Sequence, residues 1–369
     1  MRWKYLLTLV FAVCWNLQGQ SIDWPSFRGN LQQTGVTSAK LPEQMQPVWT
    51  YQLVGGIETT AAIAGGAVYL GSLDGSFVAL DLVSGKEKWK YQATDEIKSS
   101  AAVAGNTVYF GDEKGTLHAV DAGSGEKKFT FQTEAGIPGA PAIFQDHILV
   151  GSYDQNLYCL KPDGTLHWKV ETEGYIHGSP AVWNGHAYVA GCDGYLRKIQ
   201  ISDGSEKQKL RLGAYVGASP AVSKERLFVG TFGNEFLGVD LNQNKVLWKY
   251  ENPEGRFPFY SSPAVTERIV YVGGRDKFLH ALDLQSGKLL WKFASKSRVE
   301  SSPVLSGNTV YFGTVGGQVY GLAADSGKVR WQYDVADAVV SSPAIVEGKM
   351  IIGTKGGTLY CFGSGSSKS

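Results

Sequence analysis

The sequence predicts an all-β protein, an eight-bladed β-propeller whose blades are four-stranded antiparallel sheets. The first observation behind this prediction is a run of small residues that recurs eight times. The third residues of these runs stand at 61, 101, 141, 180, 220, 263, 303 and 343, so seven successive steps measure 40, 40, 39, 40, 43, 40 and 40 residues. A period held in phase over seven intervals indicates a repeat architecture, and at about forty residues it is typical of propeller blades.

The second observation is the content of each period. Short β-branched and aromatic runs, such as "VYLG" (68–71) and "VYFG" (108–111), alternate with Gly, Asp, Asn and Ser. These runs predict short strands joined by tight turns. The composition agrees, because 43% apolar residues, 19% charged residues and 46 glycines describe a turn-rich globular chain.

The small-residue run predicts the innermost strand of each blade. Blades crowd together near the axis of a propeller, so Ala and Ser fit where larger side chains would collide. Most copies carry a proline, as in "GSPAV" (178–182) and "SSPAI" (341–345). Proline has no N–H for a sheet ladder and therefore belongs at an edge, here the edge that lines the central channel.

A second recurring segment, written "ALDLVSGKEKWKY" at 79–91, predicts the third strand, a tight turn and the outermost strand. Gly85 and its counterparts stand where the turn needs a positive φ. The aromatic residue that follows should lie against the neighbouring blade and contribute about 2–3 kcal/mol of transfer free energy. These structural docking residues are Trp49, Trp89, Phe129, Trp168, Trp248, Trp291 and Trp331. Blade 4 has Gln208 instead, so its seam is predicted to be the weakest.

The order of the segments at the two ends predicts how the ring closes. "VWTY" (48–51) reads as an outermost strand that precedes the first inner strand, whereas the last strand-like segment is "TLYCF" (358–362). The last blade would take three strands from residues 339–362 and its fourth from the N-terminal strand, latched by Trp49. This pairing removes the exposed edges that an open ring would present.

The N-terminal residues predict export to the periplasm or cell envelope. A basic start, "MRWK", precedes the apolar run "YLLTLVFAVCWNL" and small residues near 19–21, the three-part pattern of a signal peptide. A buried strand or a membrane anchor is the alternative, and lipidation of Cys14 is a further one, although "FAV" before it suits lipidation poorly. The predicted organisation is a signal peptide (1–21), a leader packed on the propeller (22–46), the propeller (47–363) and a flexible tail (364–369).

The charge balance excludes recruitment by a strong net field. The formal net charge is +1, and loss of Arg2 and Lys4 with the signal peptide would make it −1. Neither value attracts nucleic acid or acidic membranes. We therefore expect a monomer that meets the membrane only through a partner or through lipidation.

The pattern A-x-D-x-x-S-G-K-x-x-W, complete at 79–89 and 281–291, resembles the tryptophan-docking repeat of pyrroloquinoline-quinone (PQQ) propellers, the quinoprotein alcohol dehydrogenase-like superfamily. The resemblance covers residues 47–363, and "DWPSFRGNLQQTG" (23–35) is similar to leaders of envelope members. It implies the fold but leaves two activities open. The group contains PQQ-dependent dehydrogenases and non-enzymatic scaffolds resembling BamB, an outer-membrane protein assembly factor.

The dehydrogenase alternative implies a calcium ion held by Glu, Asn and Asp oxygens against the quinone, an Asp base and, in many members, adjacent cysteines. This sequence has no adjacent cysteines, and its repeats carry little surplus length.

The loops that enter the inner strands predict two rings at the channel mouth. The first ring is apolar: Ile57, Ile97, Ile137, Ile176, Val216, Phe259, Val299 and Val339. The second is mixed: Glu58, Lys98, Pro138, His177, Gly217, Tyr260, Glu300 and Val340. Glu58 and Glu300 are candidate paired carboxylates, with solvated loop charges as the alternative.

Aromatic residues gather in the loops of blades 3 to 6, where "ENPEGRFPFY" (251–260) replaces a shorter loop. Exposed Tyr, Phe and Arg are the residue types that anchor protein interfaces. The sequence therefore predicts a partner-binding crescent made of Tyr153, Tyr175, His177, Tyr215, Phe232, Arg256, Phe257, Phe259, Tyr260 and Arg275. The alternative is that Phe257 and Phe259 pack onto their own blade.

Together these observations predict a non-catalytic envelope scaffold that binds proteins or peptides through its loops, in outer-membrane protein assembly. No cofactor and no catalytic residue are predicted. A PQQ- and calcium-dependent dehydrogenase is the first alternative, and a carbohydrate or small-ligand receptor in the central funnel is the second.

Overall fold

Eight four-stranded blades form a closed ring in the computed structural model, which describes residues 23–365. The inner strands of successive blades contact one another, and the inner strand of the last blade contacts that of the first. The predicted fold class is therefore confirmed. The predicted signal peptide, Cys14 and tail residues 366–369 lie outside the described residues.

The strands follow the forty-residue period. Before the first blade come β1 (Val36–Thr37) and β2 (Gln46–Gln52). Blades 1 to 4 comprise β3 (Ala62–Ala64), β4 (Ala67–Gly71), β5 (Ser76–Asp81), β6 (Glu87–Gln92), β7 (Ala102–Ala104), β8 (Thr107–Gly111), β9 (Thr116–Asp121), β10 (Lys127–Gln132), β11 (Ala142–Phe144), β12 (His147–Gly151), β13 (Asn156–Leu160), β14 (Leu166–Glu171), β15 (Ala181–Trp183), β16 (His186–Ala190), β17 (Tyr195–Gln200) and β18 (Glu206–Arg211).

Blades 5 to 8 continue the same order from the axis outward. Their strands are β19 (Ala221–Ser223), β20 (Arg226–Gly230), β21 (Phe236–Asp240), β22 (Lys245–Tyr250), β23 (Ala264–Val265), β24 (Ile269–Gly273), β25 (Phe278–Asp283), β26 (Leu289–Ala294), β27 (Val304–Ser306), β28 (Thr309–Gly313), β29 (Gln318–Ala323), β30 (Val329–Asp334), β31 (Ala344–Val346), β32 (Lys349–Gly353) and β33 (Thr358–Gly363). Blade 8 has only three consecutive strands of its own.

The ring closes as predicted, because β2 completes blade 8. It pairs antiparallel with β33, and Trp49 lies opposite Cys361 in the register. The short strand β1 adds a fifth, parallel strand to blade 7 beside β27. The N-terminal part of the described chain is thus bound to the last two blades.

The outer-strand tryptophans join neighbouring blades by a recurring contact. The Trp89 indole N–H donates to the Ala122 carbonyl at 3.0 Å, and its ring lies against Gly125 in the turn of the next blade. Gly125 has φ +75°, and a Cβ there would stand 2.6 Å from the indole, so the turn requires glycine both for its backbone and for this approach. The same indole-to-carbonyl bond is made by Trp49, Trp168, Trp248, Trp291 and Trp331.

Two seams depart from this contact. The Phe129 ring lies against Gly164 but has no N–H to donate. At the seam between blades 4 and 5, Gln208 stands in place of an aromatic ring, and the Asn244 side chain bridges to the Lys209 carbonyl at 3.4 Å. The seam between blades 4 and 5 therefore lacks the ring-on-glycine contact that is made by Trp49, Trp89, Phe129, Trp168, Trp248 and Trp291.

The apolar ring predicted at the mouth is buried instead, which corrects the prediction. All eight side chains are at most 2% exposed. Each fills the space above the residue that ends the second strand of the preceding blade, as Ile97 does over Gly71 and Val339 over Gly313. A Cβ at Gly71 would lie 2.3 Å from Ile97. These residues pack between neighbouring blades, and the residues that follow them in sequence line the mouth instead.

Two buried histidines brace turns that face the mouth. In blade 2 His118 Nε2 lies 3.0 Å from Asp112, and its Nδ1 lies 3.0 Å from the Tyr91 hydroxyl. Blade 6 repeats the arrangement with His280, Asp276 and Tyr250. Burial alone would raise the pKa of Asp112, but hydrogen bonds from His118, Thr94 and a backbone N–H lower it to about 2.

Candidate functional site

One end of the central channel is covered by the leader. Amide N–H groups of the inner strands in six blades donate to leader carbonyls at 2.7–2.9 Å. These bonds are Ile63 to Trp24, Val103 to Pro25, Val182 to Leu31, Val222 to Gln32, Val265 to Thr34 and Leu305 to Gly35. An inner strand is an edge strand with free backbone groups, and the leader satisfies those groups by running around the ring. The predicted packing of the leader on the propeller takes this form within residues 23–40.

Phe27 and Arg28 are the leader residues that lie nearest the channel and the inner strands of blades 6 and 7. Phe27 lines the deepest part of the channel. Arg28 is fully buried, and its guanidinium donates to the carbonyls of Ser302 (3.2 Å), Pro263 (2.9 Å) and Pro303. Burial lowers the pKa of Arg28 to about 9, so the side chain remains a cation at neutral pH. The channel is therefore a cup, with the leader as its floor.

Above the floor, seven hydroxyl groups encircle the channel. Each hydroxyl oxygen accepts the backbone N–H of the equivalent residue in the preceding blade, at 2.8–3.1 Å. The backbone N–H of Ser342 in blade 8 donates to the Thr60 hydroxyl of blade 1 and closes the circle. We call this set the hydroxyl crown: Thr60, Ser100, Ser179, Ser219, Ser262, Ser302 and Ser342. The eighth position is Ala140, so the circle has one gap. The small residues predicted for the inner strands thus also connect the blades.

The mouth of the cup is a cavity of about 430 Å³. Seven of the eight residues of the mixed ring line it as predicted: Glu58, Lys98, Pro138, His177, Tyr260, Glu300 and Val340. The blade 3 side chain Tyr153 and the blade 8 side chain Lys355 complete the lining. The cavity continues downward into a narrower space of about 150 Å³ that reaches the hydroxyl crown and Phe27.

The carboxylates of the mouth are paired with cations and not with each other. Glu58 lies 2.7 Å from the Lys355 ammonium, and Glu300 lies 2.9 Å from the Arg275 guanidinium. Lys98 in turn lies 3.3 Å from Glu113. Neither alternative for Glu58 and Glu300 holds as stated: they are loop charges, but each is paired with a cation, and their side chains are only 28% and 13% exposed.

His177 stands between two tyrosines on the opposite side of the mouth. Its Nδ1 lies 2.6 Å from the Tyr153 hydroxyl, and its Nε2 lies 3.3 Å from the Tyr260 hydroxyl. Burial, and then the charge of Lys98, lower the pKa of His177. A neutral imidazole has one donor and one acceptor nitrogen, so one tyrosine donates to His177 and the other receives its proton. That second hydroxyl keeps its own proton for a ligand.

The aromatic rings of blades 3 to 6 form a continuous chain across this side. Tyr175 contacts Tyr153 at 5.6 Å between ring centroids, Tyr153 contacts His177 at 5.8 Å, His177 contacts Tyr260 at 6.1 Å, and Tyr260 contacts Phe232 at 5.9 Å. We call these five residues the aromatic crescent. Both ends reach solvent, because Tyr175 is 53% and Phe232 39% exposed.

The remaining predicted partner-binding residues divide into three groups. Tyr215 and Phe257 are 63% and 49% exposed beside the crescent, and Arg256 is also exposed. Arg275 stacks 4.5 Å above the Tyr260 ring while it pairs with Glu300. Phe259, in contrast, is 2% exposed and packs on Phe236, Tyr250 and His280, so it belongs to the interior and not to a partner-binding surface.

Two charged residues beside the mouth, Glu113 and Lys355, were missed by the sequence prediction. Like the predicted Tyr153, Phe232 and Arg275, they stand two residues after the end of their blade's second strand. Aligning the eight repeats at this position would have identified the group, since equivalent turns face the same end of a propeller. Arg28 carried no such signal, because the leader does not repeat.

The donor set at the mouth does not match the calcium and quinone site that the dehydrogenase resemblance implies. Glu58 and Glu300 are each engaged by a cation, and no Asn completes a cluster around them. Across residues 23–365, no group of three or more His, Cys, Asp or Glu side chains is placed to hold a metal ion. Cys159, Cys192 and Cys361 are free thiols and are not adjacent.

Also within residues 23–365, no helix has the length and apolar character to cross a membrane.

The closed ring, the tryptophan seams and the repeat motif define the class of protein: an eight-bladed propeller built from PQQ-like repeats. The chain belongs to the family described as "Outer membrane protein assembly factor BamB", whose profile matches residues 39–130, 128–256 and 239–368. This result confirms the resemblance drawn from the repeat motif. No curated protein matches the sequence.

Solved structures share the fold at low sequence identity. BamB from Moraxella catarrhalis is 16% identical with a TM-score of 0.76, covering 87% of this chain and 100% of that one. The computationally designed Ika8 protein is 17% identical with a TM-score of 0.76, covering 85% and 98%. The quinohemoprotein alcohol dehydrogenase ADHIIG from Pseudomonas putida HK5 is 13% identical with a TM-score of 0.82, covering 94% and 81%. BamB and an alcohol dehydrogenase thus share this backbone fold, so the fold alone does not decide the activity.

Proposed function

We propose that the protein is a non-catalytic scaffold of the cell envelope that binds a protein or peptide partner at the open end of its cup, in outer-membrane protein assembly. Membership of the BamB family supports the setting. The observation that carries the proposal is the aromatic crescent, since five rings lie in contact across blades 3 to 6 and both ends of the chain are exposed. Clustered aromatic side chains on a surface mark interaction sites more often than scattered ones.

The rigidity of the ring supports binding through fixed loops. Buried residues such as Ile137 and Val299 lock each loop base against the preceding blade, and Asp112 and Asp276 hold the turns beside these two residues through His118 and His280. A surface that is ordered before it binds loses little conformational entropy on association. The exposed rings of Tyr175, Tyr215 and Phe232 therefore present contact area at small entropic cost.

The charged half of the mouth supports selection of the partner. Glu58, Lys98, Glu300 and Lys355 alternate in sign, so the surface carries no single field. Such a rim contributes orientation and selectivity more than affinity. Quinone chemistry is not part of the proposal, because the carboxylates that it would use are held by cations.

The test places a photo-crosslinking amino acid at Tyr215 in one variant and at Val83 in a matched control. Val83 is 74% exposed but lies in the turn between β5 and β6, at the covered end of the propeller. We expect crosslinks in the native envelope from position 215, and none from position 83, to a protein that mass spectrometry then identifies. Equal crosslinking from both positions, or none from position 215, would contradict the proposal.

A second arm separates binding from folding. Replacing Tyr215 and Phe232 by Ala should lower capture of the crosslinked partner at least tenfold, since exposed aromatic anchors each contribute about 1–2 kcal/mol. The thermal midpoint should stay within about 1 °C of the parent value, because both side chains are exposed. Parallel loss of capture and stability would show that these rings support the fold instead.

A further inference from the structure

The hydroxyl crown contains seven buried donors that the protein does not use. Each crown oxygen accepts a backbone N–H from the preceding blade. A hydroxyl also has one proton to donate. Among the bonds of the described residues, none of the seven hydroxyls donates to a protein acceptor. All seven line the narrow part of the cup.

These donors are too buried to be left without an acceptor. Every residue of the crown is at most 8% exposed. A buried polar group without a partner is unfavourable, so the seven donors require an acceptor within the channel. The space that they surround, about 150 Å³, has room for several water molecules or one small ion.

The gap in the crown supplies an eighth donor. Ala140 has no hydroxyl to accept the N–H of Ser100, which makes no hydrogen bond within residues 23–365. Ala140 itself still donates to Ser179 at 2.8 Å. The N–H of Ser100 is thus a free donor at the level of the hydroxyls.

The charge beneath the crown is positive. The Arg28 guanidinium donates to the carbonyl of Ser302, a crown residue. In the described part of the chain no carboxylate forms an ion pair with it. A buried cation without a counter-ion is unfavourable. Glu58 and Glu300 stand at the upper end of the same space, but Lys355 and Arg275 balance them.

We propose that the waist of the channel binds a small monovalent anion, a halide or a carboxylate, held by the hydroxyl crown above the buried charge of Arg28. Each crown oxygen already accepts a backbone N–H, so the groups that remain to be satisfied are mainly converging O–H and N–H donors, and these match an anion, which only accepts. The inference does not depend on the scaffold function. The anion has two possible sources, free solution or the carboxylate at the end of a peptide that enters through the mouth.

The first measurement is made on the unaltered protein. Crystals soaked in bromide should show one anomalous peak on the channel axis at the level of Thr60 and Ser262. In solution, the thermal midpoint should rise with bromide or acetate, at constant ionic strength set by a bulky sulfonate, and should then saturate.

A short peptide with a free C-terminus, compared with the same peptide as a C-terminal amide, tests whether the anion is a peptide carboxylate. Absence of the peak and of the shift would show that the crown holds only water and would overturn the proposal.

The second measurement uses matched variants. Ser262→Ala removes one crown donor, and we expect bromide affinity to fall about fivefold, as the loss of one hydrogen bond implies. Ser262→Thr keeps the hydroxyl, as Thr60 does naturally, and should retain binding. Ser261→Ala is the control, because its buried hydroxyl bonds to Gly273 within its own blade. Equal affinity in Ser262→Ala and Ser261→Ala would mean that the anion is adventitious.

Discussion

The two ends of the channel are built from the same eight repeats but finish in opposite ways. At the covered end the leader accepts inner-strand N–H groups from six blades, and Arg28 is fully buried. At the open end the loops leave Tyr175 and Tyr215 more than half exposed. The difference shows that the leader performs a structural task, the satisfaction of sheet edges, while the loops of the other end stay uncovered. Variants at the covered end should therefore affect stability, and variants at the open end should affect binding.

The largest expected effect comes from removing the leader and strand β2 together. Deleting residues 22–52 takes the fourth strand from blade 8 and the floor from the cup. It exposes the edge of β33, and an exposed edge promotes aggregation. We expect no folded monomer in size-exclusion chromatography. A monomer with the parent thermal midpoint would show that the Trp49 latch is dispensable.

The next effect compares two arginines, one at each end. Arg28→Ala leaves three buried carbonyls without their donor and opens a cavity, so we expect a loss of about 3 kcal/mol in the free energy of unfolding. Arg256→Ala, at the exposed end, should change it by less than about 0.5 kcal/mol. Urea denaturation followed by tryptophan fluorescence measures both. Similar losses in the two variants would remove the distinction between the ends.

Repetition explains how much of this structure the sequence could predict. The eight runs of small residues located every inner strand, and the order of "VWTY" and "TLYCF" predicted the closure that the pairing of Trp49 with Cys361 confirms. The mixed ring was placed at the mouth correctly. Each of these features repeats, so one copy supports the interpretation of the next.

The errors and omissions concern features that depend on packing between blades. Ile57 and its equivalents were expected at the mouth, but glycines at the ends of neighbouring strands leave room to bury them. Phe259 is buried for the same reason, because it is the blade 6 member of the same apolar ring. The role of Arg28 depends on carbonyls more than 230 residues away, which no local pattern indicates.

The third prediction concerns the turns that support the open end. Hydrogen bonds from His118 and Thr94 hold the pKa of Asp112 at about 2, below its ordinary value of 3.8. The unfolded state therefore binds the proton more tightly, and this stabilisation is complete above about pH 5 and lost as the pH falls toward 2. It amounts to about 2 kcal/mol. Asp112→Asn should flatten the fall in stability between pH 4 and pH 2, measured by urea denaturation. An unchanged pH profile would show that Asp112 titrates normally in the folded protein.

The smallest effect lies between the two ends, at the gap in the hydroxyl crown. Ala140→Ser would supply the missing acceptor for the Ser100 N–H and complete the circle of blade-to-blade bonds. We expect a gain of about 1 kcal/mol in the free energy of unfolding, the net value of one buried hydrogen bond. Ala142→Ser is the control, since Ala142, two residues further on at the start of β11, is equally buried but is not a crown residue. It should lower stability, because it buries a hydroxyl without providing a partner. A gain in both variants, or in neither, would mean that the blades are held by their side-chain cores alone and that the crown contributes nothing to closing the ring.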